Sequence, residues 1–283
     1  KMDPYDLGEF LTALGFDVMI MCMPYMGYNH LGEDNPWHNH NVFHYHYAEG
    51  DKASLAYFVA PVRLAIDWAE RELGHRRFAM VGFSGGGWTT YLAAALEPRI
   101  SLSVALVAVL PPHLVDAFDW IRFDYEQRYF PEEAYVDCPM LCWYVLGVVA
   151  GAGSGPRWGV HLFHSREGDP YPTANGAHGM EAELEDYYGR LLPRLIATAA
   201  GRPPEESTRS PAPLRLALTH SFHQHMGSWR DAALLEVMLR RWGALPVGPG
   251  GRMPGNGPFP AEWPMSLDSR HEDCWANGDA ASA

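Results

Sequence analysis

Cysteine is scarce in this chain: Cys22, Cys138, Cys142 and Cys274 are the only four in 283 residues. Four are too few for a disulfide-built scaffold. Cys138 and Cys142 stand one helical turn apart, a spacing that alone defines neither a disulfide nor a metal site, so the redox compartment stays open. Basic residues are also few, with 21 Lys and Arg against 34 Asp and Glu and a formal net charge of −13. That balance argues against a general affinity for nucleic acid or anionic lipid, and neither is expected as a partner. The longest apolar runs, at 103–112 and 141–152, fall short of the ~20 residues that a spanning helix needs. The chain has no internal repeat. It opens on Lys rather than Met, without the charged and apolar stretches of a secretory leader. What is abundant is apolar residue: 47% of the sequence, enough for a sizeable core. The length suits one large domain or two small ones.

Apolar periodicity divides the chain into alternating elements. Leu7, Phe10, Leu11 and Leu14 mark an opening helix that Gly15 stops. Residues 18–23 form a continuous apolar stretch of strand length, expected to be the first strand and buried on both faces. Residues 24–52 are a long segment rich in His, Asn, Tyr and Gly. Val62, Ala65, Ile66, Ala69 and Leu73 mark an amphipathic helix ending at Gly74. Strands are expected at 78–83, 102–110, 159–163 and 214–218, and helices from Thr89, over 180–200 with Pro193 a candidate kink, and over 228–242. Strands that alternate with helices predict an α/β fold, a mostly parallel sheet covered by helices on both faces. Ligands in such sheets lie at the carboxyl ends of the strands. A main domain is expected over 1–242, with a cap-like insertion at about 113–158 carrying Trp120, Phe123, Tyr125, Tyr129, Phe130, Trp143 and Tyr144. Residues 243–283, rich in Gly and Pro, are expected to form a tail.

Gly82-Phe83-Ser84-Gly85-Gly86 matches G-x-S-x-G, and its context gives the match weight. An apolar strand leads in and a helix leads out. A serine on so tight a turn presents its hydroxyl at the sheet edge, while the glycines permit a strained backbone and close helix approach. Ser84 is the candidate nucleophile, and the Gly85 amide is placed to donate to an oxyanion. The plainer alternative is a glycine-rich turn without chemistry.

A serine nucleophile needs a base, and the base needs an orienting carboxylate. The strand at 159–163 runs into His164-Ser165-Arg166-Glu167-Gly168-Asp169-Pro170. Asp169, between Gly and Pro, is the first choice of acid, and Glu167 the second. The last strand runs into Thr219-His220-Ser221-Phe222-His223-Gln224-His225. His223 is the preferred base, with His220 and His225 as alternatives. His30, His38, His40, His44 and His46 crowd an earlier loop, but no H-E-x-x-H accompanies them, so they are expected to line the substrate cleft rather than bind a metal.

The segment Val81-Gly82-Phe83-Ser84-Gly85-Gly86-Gly87-Trp88, followed by Thr-Thr and Ala-Ala-Ala-Leu-Glu-Pro-Arg-Ile, resembles bacterial α/β-hydrolases related to the dienelactone hydrolase, acetyl xylan esterase and S9 peptidase groups. Met23-Pro24-Tyr25-Met26-Gly27-Tyr28-Asn29, Asp124-Tyr125-Glu126-Gln127 and Thr219-His220-Ser221 are similar to segments of some members. The resemblance covers roughly residues 5–242. It implies hydrolysis of a carboxylic ester through an acyl-enzyme, without a cofactor, on a small-molecule ester substrate. It implies Ser84 as nucleophile, His223 as base, and Asp169 or Glu167 as acid. A serine peptidase of the same fold, or a non-catalytic binding protein on a hydrolase scaffold, are the alternatives. One departure stands out. In that fold a strand and a glycine-containing loop precede the first long helix and supply a second oxyanion amide. Here the first helix begins at about Pro4, so the sequence is expected to lack the N-terminal strands.

Overall fold

The computed structural model describes residues 4–24, 29, 54–108, 140–149, 156–166, 181–204, 213–222, 235 and 239. In chain order the elements are helices α1 (Pro4–Ala13) and α2 (Ser54–Leu73), strand β1 (Phe78–Phe83), helix α3 (Gly85–Leu96), strand β2 (Ile100–Leu106), helix α4 (Met140–Leu146) and strand β3 (Trp158–Arg166). Helix α5 (Glu181–Asp186), a π-helical turn (Tyr187–Leu191), helix α6 (Leu192–Ala199) and strand β4 (Leu214–Phe222) complete the order. The four strands form one sheet in the order β1-β2-β3-β4, every pair parallel. This is the α/β architecture that the alternation of patterns predicts.

Parallel neighbours need crossovers, and the described crossover helices clothe one face of the sheet, while α1 and residues 235 and 239 cover the other. On one face Trp88, Tyr91 and Leu92 of α3 pack with Tyr144 of α4, Tyr188 of the π turn, Leu192 and Ile196 of α6, and Phe163 of β3. On the other, Leu102, Val104, Leu106, Val160, Leu162 and Ala217 pack with Leu7 and Leu11 of α1, with Leu14 just past its end, and with Leu235 and Leu239. Leu235 and Leu239 are helical and one turn apart, within the span expected for the last helix. Positive φ at Gly15 and Gly74 ends α1 and α2 where the sequence places their stops.

Residues 18–23 depart from expectation. They belong to no strand, and Met19, Ile20 and Met21 are 50%, 45% and 41% exposed. The stretch is fixed at its ends instead. Asp17 Oδ2 lies 2.8 Å from His75 Nε2, just ahead of β1, and Met23 packs against the α3-side core. The side-chain amide of Asn29 donates to the carbonyls of Cys22 (2.8 Å) and Met23 (3.3 Å). An apolar run becomes a strand only when a ladder partner stands beside it, and among the described residues none does. The end of the described sheet is therefore β1, and no strand precedes it among those residues.

Helix α4 lies inside the segment expected to form a cap. Its Met140, Trp143 and Tyr144 are buried in the core, and Tyr144 meets Tyr91 edge-on at 4.9 Å between ring centroids. These residues cover the sheet as part of the β2-to-β3 crossover. Trp120, Phe123, Tyr125, Tyr129 and Phe130 lie outside the described residues, as do the histidine-rich loop at 30–46 and the tail at 243–283.

Two polar clusters tie the layers together. The guanidinium of Arg157 is buried at the entrance to β3. Its Nε donates to Ile100 O (3.1 Å), Nη1 to Leu146 O (2.9 Å), and Nη2 to Ala94 O and Glu97 O. One side chain thus satisfies carbonyls at the end of α3, the start of β2 and the end of α4, and the last-turn carbonyls of the two helices have no donor within their own helices. At the surface Arg99 donates to Glu97 Oε2 (2.7 Å), Glu70 Oε2 (2.8 Å) and Asp67 Oδ1 (2.6 Å), fastening the α3–β2 turn to α2.

Pro193 does more than kink its helix. It has no N–H to offer Gly189, and its ring crowds that carbonyl. The backbone widens just ahead of it into the π turn, in which Leu192 N donates to Tyr187 O.

Candidate active site

Ser84 links β1 to α3 in a single residue. Its φ of 55° and ψ of −121° lie outside the regions open to most L-residues, so the turn is strained by about 1–3 kcal/mol. Three local features impose that geometry. The Ser84 amide donates to Leu106 O (2.9 Å), continuing the β1–β2 ladder one residue past the strand. The Ser84 carbonyl already accepts from Trp88 N (3.0 Å), the first bond of α3. The glycines then allow the helix to start against the strand. A Cβ at Gly82 would overlap the Gly86 carbonyl and the Thr90 hydroxyl. A Cβ at Gly87 would stand 2.9 Å from Leu106 O and 3.0 Å from the Ala108 Cβ.

Ser84 occupies the N-cap position of α3, yet its side chain makes no capping hydrogen bond. A serine there ordinarily turns its oxygen onto the N2 or N3 amide. The strained backbone instead carries the side chain away from that role. Gly85 is the first residue of α3 and is buried. Its amide belongs to the first-turn donors that have no acceptor within the helix, at the positive end of the helix dipole. Behind it Thr89 Oγ1 donates to Gly85 O (2.9 Å) and Thr90 Oγ1 to Gly86 O (2.8 Å), stiffening the first turn.

The other expected site residues come after strands whose ends the structure does describe. Phe83, Leu106, Leu162 and Ala217 stand level across the sheet. Ser84 is thus one residue beyond that level at the carboxyl end of β1. That strand is the outer one of the described sheet. β3 continues past the level to Arg166, one residue before Glu167 and three before Asp169. β4 continues to Phe222, one residue before His223. His220 falls within β4, in the interval where the register shifts. His164 pairs with Thr219 and Arg166 with Phe222, so β4 carries an extra residue there. Such bulges bend a strand end and re-aim its side chains, and they are common beside active sites. Glu167, Asp169, His223 and His225 lie outside the described residues, and of His220 only the backbone is described.

A second outlier flanks the turn. Val107, immediately after β2, has a φ of 49°, and it is the other non-glycine residue with positive φ among those described. Composition and periodicity give no sign of it, because a valine at a strand end is unremarkable in sequence.

Among the described residues no group of three or more His, Cys, Asp or Glu side chains is placed to hold a metal ion. None of the described helices is long and apolar enough to cross a membrane.

No protein-family model matches the chain. No curated protein matches it either. Among solved structures it is similar to an acylaminoacyl peptidase of Pyrococcus horikoshii, with 13% identity and a TM-score of 0.39 over 65% of this chain and 27% of that one. It is similar to an S-formylglutathione hydrolase of Staphylococcus aureus, with 11% identity and a TM-score of 0.37 over 63% of this chain and 61% of that one. It is also similar to an esterase of Pyrococcus furiosus, with 13% identity and a TM-score of 0.35 over 67% of this chain and 61% of that one. The chain spans less than two thirds of each of these proteins. The α/β assignment rests on the parallel sheet and its crossover helices, and the chemistry of the site rests on the turn at Ser84.

Proposed function

We propose that the chain is a serine hydrolase that cleaves a carboxylic ester through an acyl-enzyme. The observation that carries this reading is the backbone of Ser84. A non-glycine residue in a strained conformation, between a parallel strand and a helix and with glycines on both sides, matches the strand–turn–helix context of a nucleophilic serine. Strain of this size persists where the surroundings over-determine it, and such places cluster at active sites. In the proposed reaction Ser84 Oγ attacks the ester carbonyl carbon while its proton passes to a histidine, for which His223 is the first candidate and His220 the second. The carbonyl π electrons move onto oxygen, which the Gly85 amide stabilises. Collapse of the tetrahedral intermediate expels the alcohol, which takes the proton from the histidine. Water then repeats the sequence on the acyl-enzyme, releasing the acid and restoring Ser84. Asp169 or Glu167 holds the imidazole in the tautomer that accepts the serine proton.

The test is covalent labelling of the chain with diisopropyl fluorophosphate, combined with peptide mass spectrometry. Attack by Ser84 Oγ on phosphorus releases fluoride and leaves a diisopropylphosphoryl group on the tryptic peptide that contains Ser84. Ser84→Ala is expected to fold and to remain unlabelled. A folded wild-type chain that takes no label, or an adduct that persists in Ser84→Ala, would overturn the reading. Turnover of p-nitrophenyl esters of rising acyl length then defines the acyl preference.

A further inference from the structure

Ser84 and Val107 are joined through one peptide unit. The bond between Leu106 and Val107 lies at the end of β2, and its two polar groups point to opposite neighbours. The Leu106 carbonyl accepts the Ser84 amide at 2.9 Å, and the Val107 amide donates to Leu162 O of β3 at 2.7 Å. The nucleophile's backbone is thereby pinned, through this peptide, to the strand two places along the sheet.

Immediately past this peptide the chain turns left-handed, at Val107. Valine is poorly suited to a φ of 49°, because its branched Cβ crowds the backbone there. Its side chain is nevertheless wholly buried, among the apolar residues of the α1-side core. A valine that continued β2 in an extended conformation would carry Ala108 onward along the strand axis. The left-handed turn brings Ala108 against the first turn of α3 instead, where its Cβ and the Leu106 carbonyl bracket the space above Gly87. The Ser84 turn is therefore held on two sides, by a hydrogen bond to its amide and by a bend that packs Ala108 against the glycine three residues on.

We propose that the left-handed turn at Val107 is a positioning element of the reaction: it fixes the Leu106–Val107 peptide and Ala108 beneath the Ser84 turn and so sets where the serine hydroxyl stands. This rests on the serine-hydrolase reading of Ser84. Small displacements of a reacting group lower the rate of the chemical step more than they lower binding. A loosened turn at 107 therefore slows the attack of Ser84 without weakening the encounter with a reagent.

Two substitutions separate backbone from packing. Val107→Ala removes most of the buried side chain but keeps a residue with restricted φ. Val107→Gly removes the same packing and also frees the backbone. Val160→Ala, at another fully buried valine of the same core, controls for packing loss with ordinary backbone. The readout is the time course of diisopropyl fluorophosphate labelling, resolved into the apparent binding constant and the first-order rate of phosphorylation at saturation. Val107→Ala and Val160→Ala are expected to melt earlier yet keep the wild-type phosphorylation rate within about threefold, whereas Val107→Gly slows it about tenfold or more with the binding constant unchanged. Equal rates in Val107→Ala and Val107→Gly, or a loss confined to the binding constant, would overturn the positioning role and leave the serine-hydrolase reading intact. A wild-type chain without an adduct on Ser84 would overturn both. Should Val107→Gly fail to fold, Gly87→Ala presses on the same Leu106 carbonyl and Ala108 methyl from the α3 side. It is expected to slow phosphorylation about tenfold at constant binding, and an unchanged rate would overturn the proposal.

Discussion

His161 Nδ1 lies 2.5 Å from the hydroxyl of Tyr188, and both groups are sealed inside the core between β3 and the π turn. Tyr144 packs edge-on against the imidazole at 4.5 Å between centroids, and Tyr91 lies tilted at 5.8 Å. Burial pushes the His161 pKa down to about 3. Burial, reinforced by the neighbouring Tyr187, pushes the Tyr188 phenol well above its ordinary value. Both groups are therefore neutral near pH 7, and a single proton joins them.

That neutrality has a measurable consequence. In the unfolded chain His161 titrates near 6.5. Between there and about 3 the unfolded state binds one more proton than the native state. Stability from this group is therefore fully present above about pH 6.5 and falls as pH drops, by about 1.4 kcal/mol per unit. Over the whole window the loss is on the order of 4–5 kcal/mol. His161→Phe should abolish this part of the slope. At neutral pH it should cost about 1–3 kcal/mol, because it takes a partner from a buried hydroxyl. Urea unfolding at intervals from pH 7 to pH 4.5 measures both effects. Parallel stability curves for wild type and variant would show that His161 is protonated in the native state.

Arg157 provides a second test of the core. Burial lowers its pKa while Glu97 opposes the shift, yet a guanidinium stays charged throughout the working range. Arg157→Leu leaves the carbonyls of Ala94, Ile100 and Leu146 without these donors, and the expected cost is at least about 3 kcal/mol. Arg157→Lys keeps the charge but cannot reach three separate elements with one ammonium, so it should recover only part of the loss. Thermal unfolding of the two variants orders them. A lysine variant as stable as wild type would mean that charge, rather than the forked geometry, holds this corner.

These features also show where sequence was informative. The bounds of β1 are those expected, because the strand is closed on one side by Gly74 and the charged residues after it and on the other by the G-x-S-x-G turn. The turn at Ser84 and Gly85 was legible for the same reason: a short glycine-rich motif between an apolar strand and a helix fixes the backbone. The stretch at 18–23 misled because apolar continuity measures how well a segment suits a buried strand, not whether an edge stands beside it. His161 was silent since a histidine inside an apolar strand carries no periodic signal, and its tyrosine partners come from α3, α4 and the π turn. Arg157 was silent likewise: its acceptors are backbone carbonyls from 94, 97, 100 and 146, which no side-chain pattern records. The strands that lead towards Glu167, Asp169, His220 and His223 were readable, while what those side chains do depends on placement that strand order does not set.

The Arg99 cluster predicts an acid dependence of its own. Glu97 accepts from the Arg99 backbone amide and guanidinium, and these hydrogen bonds hold its carboxyl below the usual range despite partial opposition from burial. Glu70 is lowered in the same way, first by Arg99 and then by Arg76. A depressed native pKa contributes stability above the unfolded value, about 4.3 for glutamate, and loses it as pH falls through the native value. Arg99→Met should cost about 1.5–3 kcal/mol at pH 7, because the buried Glu97 carboxylate loses its guanidinium partner at 2.7 Å and, of its described guanidinium partners, keeps only Arg63 at 3.7 Å. The gap between wild type and variant should narrow below about pH 4 as both carboxylates become protonated. Melting temperatures from pH 7 to pH 2.5 provide the comparison. A gap that stayed constant to the lowest pH would show that Arg99 acts through packing of its methylene stem instead.

The strain at Ser84 can be read directly from two substitutions at that residue. Ser84→Ala deletes the hydroxyl but keeps a Cβ at φ 55°, so the conformational cost remains. Ser84→Gly deletes the hydroxyl and the Cβ together, and glycine occupies positive φ readily. The glycine variant should therefore be more stable than the alanine variant by about 1 kcal/mol, even though glycine loses more entropy on folding elsewhere. Both should be inert to diisopropyl fluorophosphate. Gly82→Ala is the opposite case: its new methyl meets the Gly86 carbonyl, a backbone atom that cannot swing aside, so the turn must distort or the chain fails to fold. Denaturant midpoints for the serine variants, together with the soluble yield of Gly82→Ala, test the whole arrangement. If alanine proved as stable as glycine at 84, the turn would have relaxed to an ordinary conformation in solution. Backbone strain would then no longer support Ser84 as the nucleophile.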